Sequence, residues 1–260
     1  MPLTIATWNV NSILARLPTA IAVLKELDAD VICLQELKCE DARFPRLEIE
    51  DLGYNIALHG QKNFNGVAIL SKHRLEDVSR GVPGFEHDQA RYIEAIVNAP
   101  DNVYRVASLY APNGNPPGTE KYTLKLDLMA ALTEHARERL AWEERFVIAG
   151  DYNIIPRDVD CYDPRAWEGD ALFLPESKAC YRRLLNLGYT DAFMQADGGS
   201  NQYTFWDYQA GAWQKNNGIR IDHLMLTPQA ADRLQSVAIK KDARAKDKPS
   251  DHVPIAATFL

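Results

Sequence analysis

Leu3-Thr4-Ile5-Ala6-Thr7-Trp8-Asn9-Val10 alternates apolar with small or polar residues, and Val31-Ile32-Cys33-Leu34-Gln35 is a near-continuous apolar run that ends on Glu36. Between them, Pro18 opens an amphipathic stretch that runs to about Leu27. Alternation predicts a strand over 3–10, and the bounded apolar run predicts a buried strand over 31–35. The segment between, with proline in its first turn, predicts a helix. Strand, helix and strand in immediate succession make an α/β unit, and that reading decides the fold class.

Working outward, strands are predicted at Tyr54–Leu58, Gly66–Ser71, Tyr92–Asn98 and Val103–Tyr110, separated by Gly, Asn, Pro and Asp turns. A Pro/Gly-rich loop, 113–118, leads into the longest predicted helix, 120–143, with Leu124, Leu128, Ala131, Leu132 and Leu140 along one stripe. The second half repeats the style. A strand is predicted at Arg145–Ala149 and a helix at Glu176–Leu187, followed by strands at Tyr203–Phe205, Arg220–Leu226, Ser236–Lys240 and Ile255–Phe259. No short-period repeat or low-complexity linker interrupts the pattern, so one domain over residues 1–260 is expected. Many strands interspersed with helices suit two stacked sheets with helices outside.

The chain has 260 residues, 46% hydrophobic and 25% charged, enough for a full core. No stretch approaches the roughly 20 apolar residues of a membrane span. The N-terminus lacks the basic and apolar regions of a signal peptide, so a cytoplasmic location is expected. Cys33, Cys39, Cys161 and Cys180 form no Cys-x-x-Cys pair and are expected to be free thiols. The net charge of −7 argues by itself against a phosphate-backbone partner. A carboxylate-built metal site would account for part of that charge, and the local cluster Lys240, Lys241, Arg244, Lys246 and Lys248 can still face a backbone.

Six scattered segments put carboxylate, amide, phenol or imidazole groups at predicted strand ends. They are Trp8-Asn9-Val10-Asn11, Gln35-Glu36-Leu37-Lys38, Tyr110-Ala111-Pro112-Asn113, Gly150-Asp151-Tyr152-Asn153, Arg220-Ile221-Asp222-His223 and Ser250-Asp251-His252. Taken singly, each has an ordinary explanation: an Asx turn at Asp151, a surface turn at Asp251, a core tyrosine at Tyr110, a surface lysine at Lys38. Asp222 is more telling, because a carboxylate in an apolar strand needs a partner to offset its desolvation, and a histidine supplies one. Together, oxygen ligands for a hard divalent cation beside proton-handling groups point to a metal-dependent phosphodiesterase. The absence of a P-loop, a Gly-x-Gly-x-x-Gly turn, a Gly-x-Ser-x-Gly elbow and zinc-site histidine spacing weighs against other hydrolase and dehydrogenase classes.

With these segments assembled, the chain resembles the exonuclease III family, the DNA-repair branch of the endonuclease/exonuclease/phosphatase superfamily. Gly-Asp-x-Asn at 150–153 and Ser-Asp-His at 250–252 mark the superfamily. Gln-Glu-x-Lys at 35–38, Tyr-x-Pro-Asn-Gly at 110–114 and Phe-Trp-Asp-Tyr at 205–208 narrow the match to the repair branch. The resemblance implies a DNase I-like four-layer α/β sandwich: two packed, mainly antiparallel sheets flanked by helices. It implies a Mg²⁺-dependent enzyme, with Mn²⁺ able to substitute, acting as a monomer on double-stranded DNA with abasic sites or 3′ ends. Its activities would be 3′→5′ exonuclease, abasic-site endonuclease and removal of 3′ blocking groups.

By the same resemblance, Asn9 and Glu36 hold the metal, and Asp151, Asn153, Asp251 and His252 are further candidates near it. His252 and Asp222 form a dyad, Asp151 is the acid/base residue, Asn153 stabilises the transition state and Tyr110 stands near the scissile phosphate. Asn113, Lys121, Phe205, Trp206, Trp213 and Ile221 are the expected DNA contacts. Trp213 is singled out because its stretch, 209–217, is too polar and Gly-containing to read as core. Two rivals share parts of this pattern. One is a superfamily relative cleaving phosphoinositides or sphingomyelin, and the other is a DNA-binding module without catalysis.

Overall fold

The computed structural model describes residues 2–100 and 102–260. The opening unit forms as its periodicity predicts. β1 (Leu3–Asn9) and β2 (Val31–Gln35) lie side by side in parallel, joined over the outside of the sheet by α1 (Leu17–Leu27), with Asn9 opposite Gln35. Parallel neighbours need such a crossover, because a tight turn can only reverse the chain. After α2 (Arg46–Glu50), β3 (Asn55–His59) and β4 (Val67–Ser71) extend the same sheet by antiparallel pairing.

The second sheet starts with β5 (Arg74–Arg80), β6 (Tyr92–Ala99) and β7 (Asn102–Tyr110). A second crossover through α3 (Glu120–Leu140) makes β8 (Phe146–Asp151) the parallel neighbour of β7. α4 (Pro175–Leu187), β9 (Thr190–Asp191) and α5 (Ala192–Ala196) follow, then β10 (Asp222–Leu226), α6 (Pro228–Ala231), β11 (Leu234–Ile239) and β12 (Ile255–Phe259). The last two strands return to the first sheet. The sheet orders are β11-β12-β1-β2-β4-β3 and β5-β6-β7-β8-β10-β9, each with one parallel pair near its centre.

Apolar side chains fill three layers. Ile5, Val31, Cys33 and Ile69 of the first sheet meet Ile93, Val106, Val147 and Leu224 of the second. The outer face of the first sheet packs under α1 through Trp8, Ile32, Val23 and Leu24. The outer face of the second packs under α3 and α4 through Ile148, Leu128, Leu132 and Leu184. Helices, sheet, sheet and helices therefore stack as four layers.

Several details differ from the sequence reading. β5, with the sequence Arg-Leu-Glu-Asp-Val-Ser-Arg, carries no apolar alternation; it is an edge strand with a bulge between Glu76 and Ser79, where charge and irregularity discourage further pairing. No strand forms at Tyr203–Phe205: Phe205 makes only single bridges, to Ile219 and to His252. The buried face of α3 runs through Lys125, Leu128, Met129, Leu132 and Ala136 rather than through Leu124, which is only half-buried. The four cysteines are buried and unpaired.

Candidate active site

The two parallel crossovers make a site. β1 and β2 end together, as do β7 and β8, and the two ends face each other across the sheets, where Asn9 hydrogen-bonds Asp151 at 2.9 Å. The register of the second sheet sets Tyr110 beside Asp151, and Asp151 beside Asp222, where antiparallel β10 begins. Gly150 is required one residue earlier, since a Cβ there would run into the carbonyl of Leu109. The turns leaving these strands are unusual. Asn11, Ser12, Glu36, Lys38 and Asn153 all have positive φ, between 44° and 83°. Non-glycine residues seldom adopt that region, and clusters of such strain belong to functional sites.

Asn9 is fully buried, and its Nδ2 donates to Glu36 Oε1 at 2.8 Å as well as to Asp151 Oδ2. Lys38 Nζ stands 2.8 Å from Glu36 Oε2 and donates to Asn11 Oδ1 at 2.6 Å. On the opposite side His252 Nδ1 lies 2.9 Å from Asp222 Oδ2, and its Nε2 is 3.7 Å from Asp151 Oδ2. Asp222 is fully buried, and its second oxygen has no hydrogen-bond partner among the described residues. The Asn153 N–H donates to Asp151 Oδ1, and its Nδ2 donates to the Ala111 carbonyl, both at 2.9 Å. Asp251 sits to one side, accepting from Asn11 Nδ2 at 3.0 Å, while Ser250 Oγ donates to the Asn9 carbonyl. Tyr110 lies under the Arg91 guanidinium, 4.8 Å from its ring centre.

The proton affinities follow from this packing. Burial alone would depress the imidazole of His252, but the carboxylates of Asp222 and Asp151 outweigh it and raise the pKa to about 10. Burial pushes the Asp151 carboxyl up to about 7; the His252 charge opposes that shift and Asp222 adds to it. Glu36 goes the other way: burial would raise it, but Lys38, Asn9 and His252 together hold it below its ordinary value. Burial, then the charges of Glu36 and Asp151, keep the Tyr110 phenol protonated well past its ordinary range. Near neutral pH the site therefore holds an ionised Glu36, a cationic His252 and a carboxyl poised to exchange a proton.

Glu36, Asp151 and His252 offer ligand atoms that all lie within 4.8 Å of one another. Two carboxylates and an imidazole fit a hard divalent cation, although His252 would have to give up its proton to act as a ligand. Asp251 lies outside this trio, and the Asn153 side-chain nitrogen is engaged by Ala111.

The described geometry coincides with a family match: the model of the Endonuclease/Exonuclease/phosphatase family aligns with residues 6–252. The chain belongs to this family. Its relatives include exodeoxyribonuclease III of Haemophilus influenzae, 35% identical, with 97% of this chain and 98% of that protein aligned. A Neisseria 3′ phosphatase bound to a product DNA hairpin superposes with a TM-score of 0.94 at 36% identity, covering 99% of both chains. An AP endonuclease from Archaeoglobus fulgidus gives 0.93 at 34% identity, also over 99% of both chains. The DNase I-like sandwich expected from the sequence is the fold of these proteins.

Within this family member, the residues expected to touch DNA divide into two sets. Asn113 and Lys121 are exposed, and Phe205 is half-buried with its ring 5.0 Å from that of His252. Ile221 is buried with Ile155, Leu172 and Ile219 in a small cluster flanked by Trp167 and Phe173. Trp206 must be corrected: its indole is fully buried and its Nε1 donates to Asn216, so the ring has no face left for a ligand. Trp213 is corrected in part. Its ring packs edge-on against Trp206 at 4.8 Å, with Arg244 6.0 Å away, so this loop folds back onto the core despite its polar composition. The basic cluster is also less available than its sequence suggests, since Arg244 is buried and Lys246 pairs with Glu26.

Sequence reasoning missed three cations beside the site: half-buried Arg91 over Tyr110, and two buried ones, Lys125 beneath the loops carrying Asn113 and Asn153, and Arg220. The Arg220 guanidinium is fully buried, bonded to Asp160 at 3.0 Å and Asp191 at 2.7 Å, and sits two residues before Asp222. For Lys125 a signal existed, since it stands three residues before Leu128 and seven before Leu132, on the buried stripe.

Proposed function

We propose that this chain is a metal-dependent DNA-repair phosphodiesterase that hydrolyses double-stranded DNA at abasic sites and at 3′ ends. The proposal includes 3′→5′ exonuclease activity and removal of 3′ blocking groups. The observation that carries it is the convergence of Glu36, Asn9, Asp151 and the His252–Asp222 pair where both parallel strand pairs end. Membership of the Endonuclease/Exonuclease/phosphatase family supports the same chemistry, as do relatives named for exonuclease and AP endonuclease activity.

Glu36 and Asp151, with Asn9 beside them, would hold the cation, and Mg²⁺ is the preferred candidate because every first-choice donor is a hard oxygen. Bound there, the cation would supply charge neutralisation at the phosphate. The chain's own groups do the rest. Asp151, whose Oδ2 lies 3.7 Å from His252 Nε2, takes a proton from the attacking water or returns one to the leaving oxygen. Cationic His252, held by Asp222, presents its Nε2–H to a phosphoryl oxygen and offsets developing negative charge. Asn153 and the protonated Tyr110 phenol orient the phosphate from the strand ends on either side. One chain suffices in this reading, because every group comes from the same pair of sheets.

The rival phosphoinositide reading shares this chemistry, and turnover separates them. Abasic duplex, a recessed 3′ end and a 3′-phosphate should be cleaved in a divalent cation, while inositol phosphates should not. Preferential cleavage of inositol phosphates would overturn the DNA assignment.

A further inference from the structure

Lys125 is fully buried in α3, yet among the described residues no carboxylate lies within ion-pair distance of it. Its ammonium donates instead to three backbone carbonyls: Asn153 at 2.6 Å, Asn113 at 3.1 Å and Ala171 at 3.1 Å. Burial pulls the Lys125 pKa down to about 7 against the pull of Asp151 and Asp170, and the ammonium form uses all three of its protons on these carbonyls. Those carbonyls lie in two connections: Asn113 follows β7, while Asn153 and Ala171 stand near opposite ends of the long segment, 152–174, that joins β8 to α4.

The surroundings are shaped to admit this side chain. Gly114 has φ +89°, and a Cβ there would stand 2.9 Å from Lys125 Cδ and 3.1 Å from the Tyr122 ring. Ala171 is further secured by Ser177, whose hydroxyl donates to the same carbonyl, and by Asn115, whose side-chain oxygen accepts from the Ala171 N–H. Burying an ammonium without a counter-ion carries a desolvation cost that a leucine at this position would avoid. The site accepts that cost, and what it gains is a fixed position for the Asn153 backbone, which has φ +49° and directs its N–H at Asp151.

We propose that Lys125 is a positioning residue for the phosphodiester reaction: by tying the backbone of Asn153 to that of Asn113, it sets the placement of the Asp151–Asn153 turn. The inference rests on the nuclease reading above. A neutral apolar side chain of similar length would fill the space but take this donor from the Asn113 and Asn153 carbonyls, leave Ala171 with Ser177 alone, and free the turn to shift. Displacements of about 1 Å at a reacting centre have large effects on the chemical step and small effects on substrate binding.

The test compares Lys125→Met and Lys125→Gln with the parent on abasic duplex, well below each melting temperature, with hydrogen exchange measured on the same samples. The expected result is a fall in kcat of about a hundredfold for Met and less for Gln, whose amide keeps two donors, with KM changing less than about threefold. Exchange should rise in 111–115 and 152–155 and stay unchanged in β8. Parent-like kcat in both variants, or losses that only track the folded fraction, would overturn the proposal. Should Met fail to fold, the Gln variant decides by the same two criteria. If the parent itself shows no nuclease activity, the functional reading has failed, and unchanged loop exchange would separately sink the positioning role.

Discussion

Asp222→Asn removes the charge that the structure makes responsible for the state of His252. In the parent, Asp222 Oδ2 lies 2.9 Å from Nδ1, and the imidazole is raised from 6.5 to about 10 despite full burial. A rise of that size corresponds to roughly 5 kcal/mol in favour of the imidazolium. Asp222 is the largest of three favourable contributors, so its loss leaves burial opposed by Asp151 and Asp251 only, and the pKa should fall by roughly 2 units. The sign for stability follows from the raised value. The pair stabilises the parent fully below the unfolded histidine pKa and loses that contribution as pH rises through about 10, so the variant's deficit should be largest in the acidic and neutral range. Turnover near pH 8 should fall by about 10²–10⁴, the usual range for a displaced proton or charge donor. The assay is a ring-nitrogen NMR titration of the metal-free chain, assigned with His252→Asn, paired with single-turnover cleavage. A midpoint that moves less than half a unit would refute the charge argument. Additive losses in the double variant would refute the coupling of the pair.

Trp213→Ala should lower stability by about 2–3 kcal/mol, because it removes a half-buried ring and its edge contact with Trp206. Melting temperature should drop by about 5–10 °C while duplex affinity stays within threefold; a tenfold affinity loss with an unmoved transition would restore Trp213 as a DNA contact. Asp191, Asp160 and Glu94 are held below the usual carboxyl range, because arginine and histidine partners outweigh the effect of burial. Their stabilisation is present above about pH 4 and lost as pH falls through the depressed values, while the raised Asp151 adds stability as pH falls from about 7 toward 4, so calorimetry should show a melting temperature that does not fall between pH 7 and about 5 and declines below about 4. Arg220→Met should cost about 3–5 kcal/mol at pH 7 by removing the cation shared by two buried carboxylates, which leaves Asp160 with Arg157 and Asp191 with Tyr181, and the deficit should narrow in acid as they protonate. A deficit independent of pH would rule out that cause.

What the sequence made legible was what depends on local period and on turn chemistry. Alternation and apolar runs located β1, β2, β4, β6, β7, β8 and β12, and the strand-end motifs located the groups that converge. Polar β5 escaped because an edge strand owes its existence to one neighbour, a contact that no local pattern records. Lys125, Arg91 and Arg220 escaped for a related reason. Each owes its place to partners far along the chain, such as Arg220 to Asp160, and a single cation in a periodic stretch reads as solvated. The loop of Trp213 was misjudged in the opposite sense, since polar neighbours on both sides did not prevent it from folding back over Trp206.

The central claim is that Glu36, Asp151 and His252 form the metal-dependent phosphodiesterase site, and Mg²⁺-dependent cleavage of an abasic duplex by the parent and by Glu36→Gln tests it most directly. The account predicts cleavage by the parent that disappears in chelator. It predicts a folded Glu36→Gln variant that needs at least about tenfold more Mg²⁺ and turns over far more slowly, because a neutral amide is a poorer ligand for a hard cation. Cleavage by the parent in chelator, no cleavage at any Mg²⁺ concentration, or a variant matching the parent at limiting Mg²⁺ would contradict it.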